Sequence, residues 1–184
     1  MKELSLHIID ILQNSITAGA TLITLNILED EAADLLSFTI TDNGCGMDQE
    51  MVKRVIDPFT TGRTTRRVGL GIPLLKLAAE NTGGGITLTS RVGEGTVITA
   101  RFGYHHIDRE PLGDMAETVH QAVTAHEEID FLYTHKKNNN SFSMDTRELK
   151  NILGGVPFHT PEVSLWILEY LREGEESLCT SRVI

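Results

Sequence analysis

Asp42 closes an alternating stretch, residues 35–41, and runs straight into Asn43-Gly44-Cys45-Gly46-Met47. A carboxylate at a strand end is an acceptor held in place by the sheet. It suits an amino group on a flat ring such as adenine. Gly44 and Gly46 carry no Cβ, so backbone there can approach such a ring closely. Read alone, Asp-Asn-Gly is equally a tight turn. Upstream, Asp10 and Asn14 stand four residues apart and share one helix face. Both offer oxygen, the ligand type that a hard cation such as magnesium takes together with waters and phosphates. The alternative is a polar helix surface. Downstream, Gly69-Leu70-Gly71-Ile72 opens a helix. Backbone N–H groups at such a start, with the positive end of the helix, favour an anionic phosphate. Thr96 follows Gly93-Glu94-Gly95 at the head of a later strand, as a ligand contact or as an ordinary strand former.

The segment ahead of Gly69 is basic. Between Arg54 and Lys76, five basic side chains stand against the single acid Asp57. The guanidinium forks of Arg63, Arg66 and Arg67 match phosphate geometry, although charge alone reads first as a solvated loop. The whole chain is acidic, with 16 Lys and Arg against 26 Asp and Glu and a net charge of −10. That balance argues against nucleic acid or an anionic membrane as the main partner. A local cationic patch on such a chain points to a small anionic ligand. Cys45 and Cys179 are too far apart in sequence to read as a disulfide framework or a metal motif. No apolar run approaches the ~20 residues of a membrane helix, and no leader-like segment precedes the first helix. The expected compartment is the cytoplasm.

The elements that must position these residues are legible in outline. Residues 3–18 carry apolar positions at helical spacing and end at Gly19. Residues 21–28 and 35–41 alternate as strands, with an acidic turn at Glu29–Asp34 between them. Asp48 caps a short helix over 49–56 that stops before Pro58. A loop over 60–68 leads to a helix over 72–81, with Pro73 tolerated in its first turn. Gly83-Gly84-Gly85 ends that helix, and strands follow over 86–92 and 96–102. Beyond Asp108 the pattern predicts a helix over 113–126, a hairpin over 130–146 turning at Lys136–Asn140, and a last helix over 161–172. The order of elements predicts an α/β sandwich around one mixed sheet.

Taken in order, the boxes resemble the ATP-binding fold shared by histidine-kinase catalytic domains, gyrase B, MutL and anti-sigma-factor kinases, the GHKL superfamily. They are His7 to Ser15, Asp42 to Met47, Asp57-Pro58-Phe59-Thr60-Thr61, Gly69 to Ile72, and Gly93 to Thr96. The resemblance covers roughly residues 1–104. It implies a two-layer α/β sandwich (the Bergerat fold) over 1–108. Residues 109–184 carry no motif of that family, and their pattern reads as a small α+β C-terminal extension of open role. It implies ATP and Mg2+ as cofactors. Asp42 would anchor adenine, with Met47 lining the pocket and Thr96 helping to hold the base. Asn14 would supply the protein oxygen on magnesium. Thr60 to Val68 would form a short lid, with Phe59 packed at its base and Thr61 in the same box. Arg63, Arg66 or Arg67 would meet the phosphates beside Gly69, Leu70, Gly71 and Ile72.

Asp10 stands where many members carry a glutamate that acts as general base. Aspartate is one methylene shorter, and a base must come within about 2.6–3.2 Å of its proton, directly or through one water. Asp10 is therefore a base, a group that orients the metal ligands, or a surface acid. His7 either orients Asp10 or packs structurally. His106 has Arg109, Pro111 and Leu112 at offsets seen around a phosphoacceptor histidine. The neighbouring acid is missing, however, and the segment follows the ATP domain. Three functions fit the resemblance. The first is a histidine-kinase-like or anti-sigma-type phosphotransferase acting on a partner protein. The second is a non-catalytic ATP-dependent protein-binding switch. The third is a slow MutL-like ATPase, for which the transducer domain is lacking. The expected partners are ATP and a protein, not nucleic acid or membrane, with homodimer formation open.

Overall fold

The computed structural model describes residues 3–57 and 69–180. Within them, β1 (Leu22–Asp30), β2 (Leu35–Asp42), β3 (Gly85–Arg91), β4 (Gly95–Gly103), β5 (Asp130–Lys137) and β6 (Asn140–Asp145) form one mixed sheet. Its order is β3-β4-β2-β1-β5-β6. The helices are α1 (Leu4–Thr17), α2 (Gln49–Ile56), α3 (Gly71–Glu80), α4 (Met115–Ala125), α5 (Thr146–Leu153) and α6 (Pro161–Cys179).

Period-two alternation makes the two layers. β2 buries Leu36, Phe38, Ile40 and Asp42 and turns Ser37, Thr39 and Thr41 to the other face. The same phase runs across the sheet: Ile40 lies opposite Leu25 and Ile98, and Leu25 lies beside Tyr133, all buried. One face is therefore apolar, and the helices cover it. α1 lays Leu4, Ile8, Ile11, Leu12 and Ser15 into that core and leaves Asp10 and Asn14 exposed.

Among the described residues, no side chain caps the N-terminus of α1. The N–H groups of Leu4 and Ser5 donate instead to the carbonyls of Pro111 and Leu112, at 2.9 and 2.8 Å. First-turn donors have no partner within their own helix, so the segment after β4 completes α1. Gly19, at φ +75, ends the helix where a side chain would be strained.

Some boundaries differ from the sequence expectation. β1 continues to Asp30 and carries Glu29 into the sheet, which shortens the acidic turn. The last helix runs on to Cys179, and α5 follows the hairpin directly. Asp145 ends β6 and caps α5, accepting the Arg147 N–H at 2.9 Å. β5 pairs in parallel with β1, from Leu22–Asp130 to Glu29–Lys137, so the hairpin continues the same sheet.

Candidate functional site

Asp42 stands at the end of two ladders, opposite Ile23 of β1 and Thr96 of β4. Its side chain is buried and held at both oxygens. Oδ2 accepts the Ser15 O–H at 2.6 Å, and Oδ1 accepts the Gly44 N–H at 2.9 Å. Each carboxylate oxygen has about two lone-pair sites. The bonds fix the orientation of the group and leave acceptor capacity for a ligand N–H.

The turn after Asp42 is locked against the turn before Thr96. Gly46 takes φ +67, and a Cβ there would overlap the Arg91 carbonyl. Gly95 takes φ +119, and a Cβ there would overlap the Asp42 carbonyl. Ser90 ties the two together. Its Oγ accepts the Met47 N–H at 2.8 Å and donates to the Gly95 carbonyl at 2.9 Å. That leaves Thr96 Oγ1, 2.8 Å away, to donate to Ser90 and to keep its own lone pairs. Asp42, Ser90 and Thr96 lie on a cavity of about 540 Å³ with Val52 of α2 and Leu88 of β3 on its walls. The lining is mostly polar, with Gln49, Arg91 and Glu94 added to the fixed groups, and Val52, Leu88 and Val97 supply the apolar wall on which a flat heteroaromatic ring can lie.

A second group of residues gathers at α3. Among the described residues no side chain caps its start at Leu70 and Gly71, so the first-turn N–H groups are of the kind that favour an anion. Asp10 reaches the same place: its Oδ2 lies 3.0 Å from where a Gly71 Cβ would be. The missing side chain makes room for the carboxylate. Asn14 is one turn further along α1 and exposed, next to the Ser15 that holds Asp42. Asp10 and Ser15 are five residues apart, about 7.5 Å along the helix axis. α1 therefore joins the carboxylate end of the site to the helix-start end.

Met47 packs on the core through its half-buried side chain. His7 is buried, with Nε2 3.3 Å from Glu110 Oε2. Burial holds its pKa below the ordinary value although Glu110 pulls the other way. The contact sets α1 against the segment after β4, and the Asp10 carboxylate acts on the same ring. His106 sits in a turn after β4, where its Nδ1 accepts the Asp108 N–H at 3.1 Å. Phe59, Thr61, Arg63, Arg66 and Arg67 lie outside the described residues. Ser15 and Ser90 hold the site together yet carry no sequence signal beyond their place on a helix stripe and in a strand.

Residues 2–106 match the family described as "Histidine kinase-, DNA gyrase B-, and HSP90-like ATPase". The chain belongs to that family. Sensor histidine kinase AruS of Pseudomonas aeruginosa is 37% identical over 71 residues, which is 36% of this chain and 7% of that protein. Sensor histidine kinase YxdK of Bacillus subtilis is 33% identical over 82 residues, 42% of this chain and 25% of that protein. The chain thus spans a quarter or less of the length of these relatives. In fold, it resembles the N-terminal domain of a DNA repair protein at TM-score 0.53 and 13% identity. That likeness covers 98% of this chain and 58% of the other, so it takes in α4 to α6 as well as the ATPase region.

Membership in this ATPase family supports ATP binding, and the residues present fit that ligand. The buried, pre-oriented Asp42 carboxylate suits the adenine amino group. The uncapped start of α3 suits phosphate. Among the described residues no three or more His, Cys, Asp or Glu side chains cluster as a metal site. A divalent cation held by one amide oxygen plus phosphates and waters needs no such cluster.

Proposed function

We propose that this chain uses Mg-ATP to phosphorylate a partner protein. The observation that carries the reading is the Asp10 carboxylate set against Gly71 at the uncapped start of α3. An acid placed where phosphates are favoured is repelled by them unless it works on a proton or a cation lies between. Phosphoryl transfer uses both arrangements. Mg-ATP supplies the phosphoryl group and the charge neutralisation. Asp42 and Thr96 orient the base. Asn14 offers its amide oxygen to the cation. Asp10 accepts the proton of the acceptor, or orders the water shell through which the acceptor is reached. Arg63, Arg66 or Arg67 offsets phosphate charge as it develops. The relatives named as sensor histidine kinases support phosphotransfer from ATP, and the acceptor in this reading is a cytoplasmic protein.

The test follows ATP labelled on its terminal phosphate, with purified protein, magnesium and cell extract as the acceptor source, beside Asp10→Asn. Label should pass from the parent to an acceptor in the extract, while Asp10→Asn binds ATP with similar affinity and transfers at least 100-fold less, the scale of a lost general base. ATP bound and returned intact in every extract would instead make the chain a nucleotide-dependent switch. Phosphate released to water, rising steeply with protein concentration, would point to an ATPase coupled to dimer formation.

A further inference from the structure

Ser90, Thr96 and Asp42 stand in one row across the sheet at the base end of the site. Ser90 of β3 lies opposite Thr96 of β4, and Thr96 lies opposite Asp42 of β2. All three line the same cavity. The hydrogen positions along this row follow from what each partner can do. Ser90 is 5% exposed. Its Oγ meets the Met47 N–H at 2.8 Å, the Gly95 carbonyl at 2.9 Å and Thr96 Oγ1 at 2.8 Å. A hydroxyl has one hydrogen and two lone pairs. The Gly95 carbonyl cannot donate, so it takes the Ser90 hydrogen. The two lone pairs then receive the Met47 N–H and the Thr96 O–H.

The consequence reaches the cavity. With its hydrogen on Ser90, Thr96 can offer a ligand only lone pairs. Asp42 does the same, since its two oxygens accept from Ser15 at 2.6 Å and from Gly44 at 2.9 Å. Gln49 and Arg91, which carry donors on the cavity wall, turn to the Ser90 carbonyl at 3.4 Å and to Glu94 at 3.8 Å. Thr41 and Thr89 belong to the opposite face of their strands by alternation. Directly opposed residues of an antiparallel pair hold their Cβ atoms about 4.5–5.5 Å apart, so Asp42 and Thr96 present two acceptors side by side. A planar amino group, with two hydrogens on one nitrogen, answers such a pair. An exocyclic oxygen in its place meets lone pairs from both residues.

We propose that Ser90 is a positioning residue that sets base specificity. By taking the Thr96 hydrogen it makes Thr96 a second acceptor beside Asp42, and the pair selects a 6-amino purine over a 6-oxo purine. Ser90 does not touch the base and acts through Thr96. The inference rests on Asp42 as the base end of the nucleotide site and makes no use of phosphotransfer.

The test measures binding of ATP and of inosine triphosphate, which has oxygen in place of the 6-amino group, by calorimetry with magnesium and the full chain. The parent should prefer ATP by at least 100-fold, because a site built around amino hydrogens leaves its polar groups unpaired on the analogue. In Ser90→Ala the Thr96 O–H is free to turn and donate to the 6-oxygen. Inosine triphosphate should then bind about tenfold tighter than it binds the parent, the scale of one hydrogen bond. Ser90→Ala also releases the Met47 N–H, but a loosened turn would weaken both triphosphates and could not produce a gain for one. Thr96→Val keeps a strand former and removes the hydroxyl. ATP should bind it about tenfold more weakly and inosine triphosphate no more weakly. Adding Ser90→Ala to Thr96→Val should leave the ratio of the two affinities unchanged, because the two residues act as one unit. No gain for inosine triphosphate in Ser90→Ala would overturn the proposal, as would parental ATP affinity in Thr96→Val. If Ser90→Ala does not fold, Thr96→Val decides alone. A parent that binds both triphosphates equally would overturn Ser90's role and leave the site standing, whereas a parent that binds neither would overturn the base site with it.

Discussion

At the scale of single residues, the base end of the site rests on how one carboxylate is held. Asp42 has two bonds inside the protein and is buried at the meeting of two ladders. In Asp42→Asn, the amide oxygen can still accept the Gly44 N–H and the amide N–H can donate to Ser15 Oγ. The fold should survive, with unchanged circular dichroism. The adenine amino group would then lose its acceptor at Oδ2, and calorimetry should show ATP binding weaker by about 100-fold or more, the scale of a lost charge-assisted bond. Ser15→Ala removes only the donor that aims Oδ2. It should cost about tenfold in ATP affinity and about 1 kcal/mol in stability. If Ser15→Ala binds ATP like the parent, the aim of the carboxylate does not depend on α1. Ser15 is also where sequence reading falls short. Its hydroxyl sits on the same helical stripe as Ile8, Ile11 and Leu12, and periodicity reports that it is buried without telling what it bonds.

At the scale of elements, local signals and long-range ones separate cleanly. The strand that ends at Asp42, the Asp48 cap and the glycine start of α3 are encoded within a few residues, and the structure has them where expected: Asp48 accepts the Met51 N–H at 2.8 Å. The hairpin of β5 and β6 is equally local, turning at Asn138 with φ 51, a conformation asparagine tolerates better than most side chains. That β5 lies parallel to β1 is not local. It depends on packing across more than a hundred residues, and no turn motif records it. The same holds for the cluster that joins β1, β5 and α6. His135 Nε2 lies 2.9 Å from Glu29 and its Nδ1 lies 2.8 Å from Glu175, with the Tyr133 O–H also on Glu175 and Lys137 near Glu29. Burial alone would lower the His135 pKa, but the bonds to Glu175 and Glu29 outweigh it and raise the value to about 9. A raised folded-state pKa contributes stability that is complete below the unfolded value, about 6.5, and is lost as pH climbs through 9. Linkage puts that contribution at roughly 2–4 kcal/mol. The melting temperature should therefore fall between pH 7 and pH 9.5, and His135→Gln should flatten that fall. An unchanged slope in the variant would remove His135 as its source.

At the scale of the whole molecule, the ATPase-family match ends at residue 106, but the physical unit does not end there. Three dependencies cross that point. β5 covers the edge of β1 along eight paired positions. Pro111 and Leu112 satisfy the first turn of α1. Val119, Phe131 and Ile167 belong to the same buried cluster as Leu4, Ile8 and Leu25. The second and third bear on α1, the helix that carries Asp10, Asn14 and Ser15, and the first steadies the strand beside β2, so the C-terminal elements support the site. A chain cut after residue 108 would bare the β1 edge, unpair two helix-start donors and return core side chains to water at roughly 1.5–3 kcal/mol each. Losing only three or four such side chains matches a typical domain stability of about 5–15 kcal/mol. Residues 1–108 alone should lack a cooperative thermal transition and bind ATP at least tenfold more weakly, and adding residues 109–184 as a separate chain should restore part of both. A cooperative melt and parental affinity in the short chain would mean that α1 keeps its position unaided, and that the later elements serve recognition alone.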